Sequence, residues 1–289
     1  MNPKTLKTHS QALKAAQSRG LERLDAQWLL LHVLARPSHD RAWLLAHDDD
    51  PLPDELANAF DQLAQRRAAG EPLAYLVGYK DFFGLHLTVD ARVLVPRPDT
   101  ETLVDWALEH LLAQGAAADP HVLDLGTGSG AIALALTHTL QTRARPARIV
   151  AVDASPDALA AAHANAVRLG LNVRFLVSNW FDQVDGHFDL MVSNPPYIAD
   201  ADPHLAQLTH EPLPALASGA DGLNDLRCII GQAPAHLRAG GWLLLEHGYD
   251  QSAAVRSLLT GRGFVDVQSR LDLAGIERCS GGRWGGTAG

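Results

Sequence analysis

Val122-Leu123-Asp124-Leu125-Gly126-Thr127-Gly128-Ser129-Gly130 is an apolar strand that breaks into three glycines at strict alternation. It then enters a helix carrying Ile132, Leu134 and Leu136. Glycine lacks a Cβ and takes positive φ freely, so such a turn is tight and a ligand can approach its backbone closely. Amides at the helix start are expected to point outward. Around this stretch the chain alternates short β-rich runs (HVLDLG, ARIVAVD, NVRFLV, FDLMVS, GWLLLEHG and FVDVQS) with helical or loop segments. That alternation predicts an α/β fold, a parallel sheet with crossover helices. The runs are continuously apolar, as expected of strands covered on both faces.

Asp153 closes the second of these strands, 23 residues past Gly130. An acceptor at that place can bind both hydroxyls of a ribose. A rival reading makes it a helix cap, since Ser155-Pro156-Asp157 follows, but a cap has no need of a strand end. Gly126, Gly128 and Ala131 also satisfy the looser dinucleotide pattern, which keeps an NAD enzyme open. The strict alternation of glycines, and Asp124 two residues before the first of them, favour S-adenosylmethionine.

The fourth strand, Phe188 to Ser193, runs into Asn194-Pro195-Pro196-Tyr197. Ligands bind at this edge in open parallel sheets. Adjacent prolines lack amide donors and have restricted φ, so the turn is stiff and nearby carbonyls stay free as acceptors. An amide or exocyclic NH2 has two hydrogens to satisfy, and Asn194 Oδ1 with the Pro195 carbonyl can take both. The nitrogen of such a group is poorly nucleophilic, so orienting its π face toward an electron-poor methyl is what catalysis requires. Tyr197 offers an aromatic face to the substrate plane or a sulfonium. A plain proline turn with a core tyrosine is the bland alternative.

Ahead of the sheet, Leu6 to about Gly70 carries apolar residues at helical spacing, among them Leu21, Leu24, Trp28, Leu31 and Ala35. Pro37, the acidic run Asp48 to Asp50, Pro51 and Gly70-Glu71-Pro72 separate and close the helices. Tyr75 to Val95, with alternating Leu85, Leu87 and Val89 after Gly84, predicts a hairpin. Pro96 and Pro98 hold an extended segment, and Asp99 is placed to cap a helix through Trp106 and Leu111. The division expected is residues 1–73 as a helical domain, 74–95 as a β-hairpin linker and 96–289 as the α/β domain.

Of 289 residues, 24 are Lys or Arg and 33 Asp or Glu, a net charge of −9. Holding nucleic acid by phosphate contacts usually calls for a basic face, so no direct nucleic-acid substrate is expected. Two cysteines, Cys228 and Cys279, rule out a disulfide framework and suit a reducing compartment. The polar start MNPKTLKTHSQ has no apolar core of a leader, and no run approaches a membrane span. A cytoplasmic protein is expected. Fourteen histidines are scattered without metal-ligand spacing, so no metal is expected.

These residues resemble the class I S-adenosylmethionine-dependent methyltransferases with an Asn-Pro-Pro-Tyr motif, and more closely the HemK-type release-factor glutamine methyltransferases. The resemblance runs through Pro72 to Gly78, Val93 to Glu101, Asp124 to Gly130, Ser178-Asn179-Trp180-Phe181, Asn194 to Tyr197, Glu211-Pro212, Asp221-Gly222-Leu223 and Leu245-Glu246-His247-Gly248. It departs mildly at Asn179, where the family usually has Asp, and at Asp99, where it has Glu.

The resemblance implies a Rossmann-like methyltransferase sheet behind an N-terminal substrate-recognition domain. It implies cofactor contacts from Gly126, Thr127, Gly128, Ser129, Gly130, Asp153, Trp180 and Asn194, with Trp180 near the adenine. It further implies that Asn194, Pro195, Pro196 and Tyr197 hold the glutamine of a Gly-Gly-Gln loop in class 1 peptide chain release factors, leaving S-adenosylhomocysteine as product. A ribosomal-protein glutamine, a nucleic-acid exocyclic amine, or a purely binding role in translation remain the rival readings.

Overall fold

Thr8 opens the first helix with a reciprocal cap: its Oγ1 accepts from Gln11 N, and Gln11 Oε1 accepts from Thr8 N. The computed structural model describes residues 7–113 and 115–286. The first helices are α1 (His9–Ser18), α2 (Arg23–Val33), α3 (Arg41–Ala46), α4 (Asp54–Ala68) and α5 (Leu73–Val77). In α4, Asp54 and Glu55 lie in the first turn and Arg66 and Arg67 in the last, the charge order a helix dipole favours. The apolar faces close on a core of Leu29, Leu30, Leu31 and Phe60, each fully buried.

Chain contacts define two compact units, residues 1–79 and residues 80–289. Residues 74–77, expected to begin the hairpin linker, are helical as part of α5, and Leu76 and Val77 join the core of the first unit. The hairpin strands are narrower than expected, β1 (Tyr79–Phe82) and β2 (Leu85–Thr88).

The larger unit continues with α6 (Glu101–Leu112), β3 (His121–Leu125), α7 (Ala131–Thr142), β4 (Arg148–Asp153), α8 (Pro156–Leu169), β5 (Arg174–Val177) and β6 (Phe188–Ser193). After these come α9 (Asn224–Gln232), β7 (Leu237–Glu246), α10 (Ser252–Arg262), β8 (Phe264–Leu271) and β9 (Glu277–Trp284). Seven strands form one sheet in the order β5-β4-β3-β6-β7-β9-β8, the first five parallel and β9 and β8 antiparallel. This is the Rossmann-like α/β architecture expected, with an antiparallel pair added at one side. Asp99 caps nothing. The helix starts through a short 3-10 turn, Pro98–Thr100, and Asp99 lies 3.4 Å from Arg278.

Side chains alternate across the sheet. Val122, Leu190 and Leu244 face one apolar cluster with helix α6 and α7 residues, whereas Leu123, Met191 and Leu243 face another with α9 and α10. Among the described residues, no helix is long and apolar enough to cross a membrane.

The register places the site. Leu125 lies opposite Val152 and Ser193, and Ser193 opposite Leu245. Gly126, Asp153, Asn194 and Glu246 therefore leave four adjacent strands side by side at the carboxyl edge. The strand order reverses between β3 and β6, where such sheets open a crevice.

Candidate active site

Gly126, Gly128 and Gly130 all take positive φ, at 71°, 56° and 85°. At Gly130 a Cβ would also stand 2.9 Å from Leu134 Cδ1 and 3.2 Å from Ala162 Cβ, so glycine there serves helix packing. Four of the loop's amides are taken up within the protein. Those of Gly126 and Thr127 donate to the Val152 carbonyl, that of Gly130 to Thr127, and that of Gly128 to Asp153 Oδ2 at 2.8 Å.

Asp153 Oδ1 accepts from Ser155 N at 2.9 Å, while Ser155 itself caps α8 through its hydroxyl. The cap reading of Asp153 therefore fails, and its carboxylate joins the glycine turn to the start of α8. Each oxygen holds one N–H and has acceptor capacity left for a hydroxyl. Beneath the turn, Asp124 is fully buried, accepting from Thr127 Oγ1 at 2.7 Å and Ala133 N at 3.2 Å through Oδ2. Burial pushes its carboxyl up to about 7 against those two bonds.

Gly126, Gly128, Asp153, Trp180, Asn194 and Pro196 line a cavity of about 350 Å³. A smaller one of about 100 Å³ is lined by Asn194, Pro195, Tyr197, Leu94, Arg97 and Leu208. Asn194 belongs to both. Thr127, Ser129 and Gly130 lie in the same turn without lining either cavity. Trp180, half-buried with φ 47°, donates from Nε1 to Asp225 Oδ1 at 3.2 Å; it lines the larger cavity and packs against the core cluster on that face of the sheet.

Val93 and Leu94 line the larger cavity from one side, Pro212 and Ala215 from another. Glu211 ties these segments together. Its Oε2 accepts from Val95 N at 3.1 Å and its Oε1 from Arg97 Nη2. Arg97 thus clamps the segment bordering both cavities.

Asn194 donates from Nδ2 to Thr100 Oγ1 at 3.1 Å, so the other end of its amide, Oδ1, is the end available to a ligand. Tyr197 Oη donates to Glu246 Oε1 at 3.3 Å. Burial and the neighbouring Glu246 raise the phenol further above its ordinary range, so it stays a donor. The turn is held from outside as well: Gln251 Nε2 donates to the Tyr197 carbonyl at 3.0 Å, and Ser193 Oγ to the Leu125 carbonyl at 2.7 Å. Thr100 and Glu246 lie in stretches that carried the resemblance without being singled out, and Asp225 and Pro214 lie outside them; the hydrogen bonds of Thr100, Glu246 and Asp225 reach partners far along the chain.

The residues fit a nucleoside donor carrying a methyl sulfonium. The larger cavity has the size of small-molecule sites and an aromatic wall, and Asp153 supplies acceptors. Two buried polar atoms of the glycine turn, Asp124 Oδ1 and Ser129 Oγ, have no partner among the described residues, leaving hydrogen-bonding capacity at the turn.

Comparison with known proteins agrees. The family model described as PrmC N-terminal domain matches residues 4–78, and that described as Methyltransferase small domain matches residues 100–248. A release factor glutamine methyltransferase of Bordetella pertussis is 51% identical over 267 residues, covering 91% of this chain and 95% of that protein. One from Xylella fastidiosa is 50% identical over 277 residues, covering 94% and 97%. A solved methyltransferase from Pyrococcus furiosus shares the fold, with a TM-score of 0.51 at 19% identity over 71% of this chain and 90% of its own. With identity of this level over both units, and the Asn-Pro-Pro-Tyr turn beside the glycine turn, the chain belongs to the release factor glutamine methyltransferase family.

Proposed function

We propose that this chain methylates the side-chain N5 of the glutamine in the Gly-Gly-Gln loop of class 1 peptide chain release factors, with S-adenosylmethionine as donor and S-adenosylhomocysteine as product. The observation that carries this reading is Asn194, which lines both cavities with its Nδ2 occupied and its Oδ1 free to accept.

S-adenosylmethionine, when bound, supplies an electron-poor methyl on sulfur. Gly126, Gly128, Asp153 and Trp180 hold the nucleoside side, with Asp153 as the acceptor for ribose hydroxyls; Thr127, Ser129 and Gly130 shape the turn. Asn194 Oδ1 and the Pro195 carbonyl accept the two hydrogens of the target amide. That fixes the plane of the NH2 group and turns the nitrogen's π face toward the methyl, replacing random orientation by a held one. Pro196 stiffens the turn, and Tyr197 lines the wall of the smaller cavity, into which the glutamine side chain fits. Asn194 contacts both donor and acceptor.

The first unit, residues 1–73 as read from the sequence, supplies partner recognition, residues 74–95 connect it, and residues 96–289 carry the chemistry. The negative charge and lack of a basic, aromatic-interleaved stretch support a protein substrate over a nucleic acid. Two cysteines without a partner pattern support a cytoplasmic site of action.

The test is incubation with methyl-labelled S-adenosylmethionine and, separately, a class 1 release factor, ribosomal proteins, RNA and DNA. Label is expected on the release factor. Label on ribosomal protein or nucleic acid alone would contradict the reading.

A further inference from the structure

We propose that Asp225 is a positioning residue for the donor site: its carboxylate fixes the Trp180 indole as the wall against which the nucleoside of the methyl donor lies. The inference rests on the reading of the larger cavity as the donor site.

Trp180 is held in a conformation that its own backbone does not favour. Its φ of 47° lies in the left-handed region, costly for a residue with a bulky side chain, and such a backbone persists only where its surroundings fix it. On the main-chain side, Ser178 Oγ donates to the Trp180 carbonyl at 2.8 Å and accepts from Gln183 N at 3.0 Å. On the ring side, the indole lies against Gly126, where a Cβ would stand 3.4 Å from Trp180 Cζ3. The first support acts on the backbone and the second is an apolar contact without direction, so neither fixes which edge of the ring faces the cavity.

The directional support is Nε1, which donates to Asp225 Oδ1 at 3.2 Å across 45 positions of sequence. An indole has one donor and no acceptor, so a single acceptor in a fixed place settles how the ring lies. Asp225 is itself fixed. Ser218 Oγ donates to its Oδ2 at 2.7 Å and accepts from Asp225 N at 2.8 Å. Ser218 N donates in turn to the carbonyl of Ile198 at 2.9 Å, the residue that follows the Asn-Pro-Pro-Tyr turn. The wall of the donor cavity and the acceptor turn therefore hang on one segment, and both Trp180 and Asp225 line that cavity with Gly126 and Asp153.

Two measurements test this, neither of which needs a release factor. In the first, calorimetry with S-adenosylmethionine compares wild type, Asp225→Ala, Asp225→Asn, Trp180→Phe and the double variant Trp180→Phe with Asp225→Ala. Asp225→Ala should weaken affinity about tenfold, the lower end for losing a hydrogen bond to a charged group. Asparagine keeps an oxygen for the indole and can turn its NH2 to Ser218, so Asp225→Asn should stay within about threefold of wild type. Phenylalanine has no N–H to hold, so in the Trp180→Phe background the alanine should cost less than about twofold more. Unchanged affinity in folded Asp225→Ala, or an equal loss in both backgrounds, would overturn the proposal.

In the second, the Trp180 indole N–H signal, identified by its loss in Trp180→Phe, is followed by NMR with no ligand present. It should shift and exchange faster with solvent in Asp225→Ala. It should move in the same direction in Ser218→Ala, which leaves the carboxylate in place without its clamp and decides the matter should Asp225→Ala not fold. A signal unmoved in the folded variants would overturn the proposal. Wild type that bound no S-adenosylmethionine would overturn it together with the donor reading, whereas failure to methylate a release factor would refute the substrate reading alone and leave both measurements to decide the role of Asp225.

Discussion

Asn194 and Thr100 stand 94 positions apart in sequence and meet through one hydrogen bond, Nδ2 to Oγ1 at 3.1 Å. That bond leaves Oδ1 as the acceptor at the wall common to both cavities. Asn194→Ala is expected to cut turnover about 100-fold or more, the scale for losing one polar contact to the reacting group. Thermal unfolding should change little, since the amide makes one side-chain bond. Near-normal turnover at saturating substrates, in a folded variant, would remove Asn194 from the chemistry.

Asp153 serves two masters, the glycine turn and the proposed ribose. Asp153→Ala should weaken S-adenosylmethionine by about 1.5 to 3 kcal/mol, roughly ten- to a hundredfold. Loss of the Gly128 bond adds to the effect by loosening the turn. Calorimetry with unchanged affinity in the folded variant would take Asp153 out of the site.

Two buried carboxyls should give stability an unusual pH dependence. Asp124 and Glu246 are each pushed to about 7 from ordinary values of 3.8 and 4.5. Folded protein therefore holds protons that the unfolded chain releases, and stability falls as pH rises from about 4 to about 7, each group contributing up to ~1.4 kcal/mol per pH unit. Groups held low, such as Asp221 beside Arg227 at about 2, act below that window in the opposite sense. In Asp124→Asn the decline of denaturation midpoint across the window should be shallower. The same slope as wild type would contradict a raised Asp124.

The proposed role of the helical unit gives a fourth expectation. Leu24 and Leu45 are 55% and 61% exposed there. Their joint replacement by Glu should raise KM for intact release factor about tenfold while leaving activity on a short Gly-Gly-Gln peptide unchanged. Equal losses on both substrates would assign the helices a supporting role.

How much of this was legible before the structure depended on whether the chemistry is local in sequence. The glycine turn, Asp153 and the Asn-Pro-Pro-Tyr turn could be read because each motif is contiguous and its strand end follows from an apolar run. Strand β9 was missed. Its sequence, Glu277 to Trp284, contains Ser280-Gly281-Gly282 and reads as a turn, yet a Cβ at Gly281 would stand 2.6 Å from the Leu243 carbonyl and 2.9 Å from Trp106. Close packing against β7, not a turn, asks for glycine there. Leu73 to Val77 was ambiguous because a five-residue apolar run fits either helix or strand, and burial of Leu76 and Val77 among helices decides it. Thr100 and Glu246 fall within stretches that carried the family resemblance but were not singled out, since their significance lies in hydrogen bonds that join distant segments.

The most direct test of the account is fragmentation mass spectrometry of a class 1 release factor after reaction with the purified protein and S-adenosylmethionine. The account predicts a single added methyl on the glutamine of the Gly-Gly-Gln loop, borne by its side-chain amide nitrogen and absent when Asn194→Ala is used. A methyl on another residue, or the same methyl formed equally by Asn194→Ala, would contradict it.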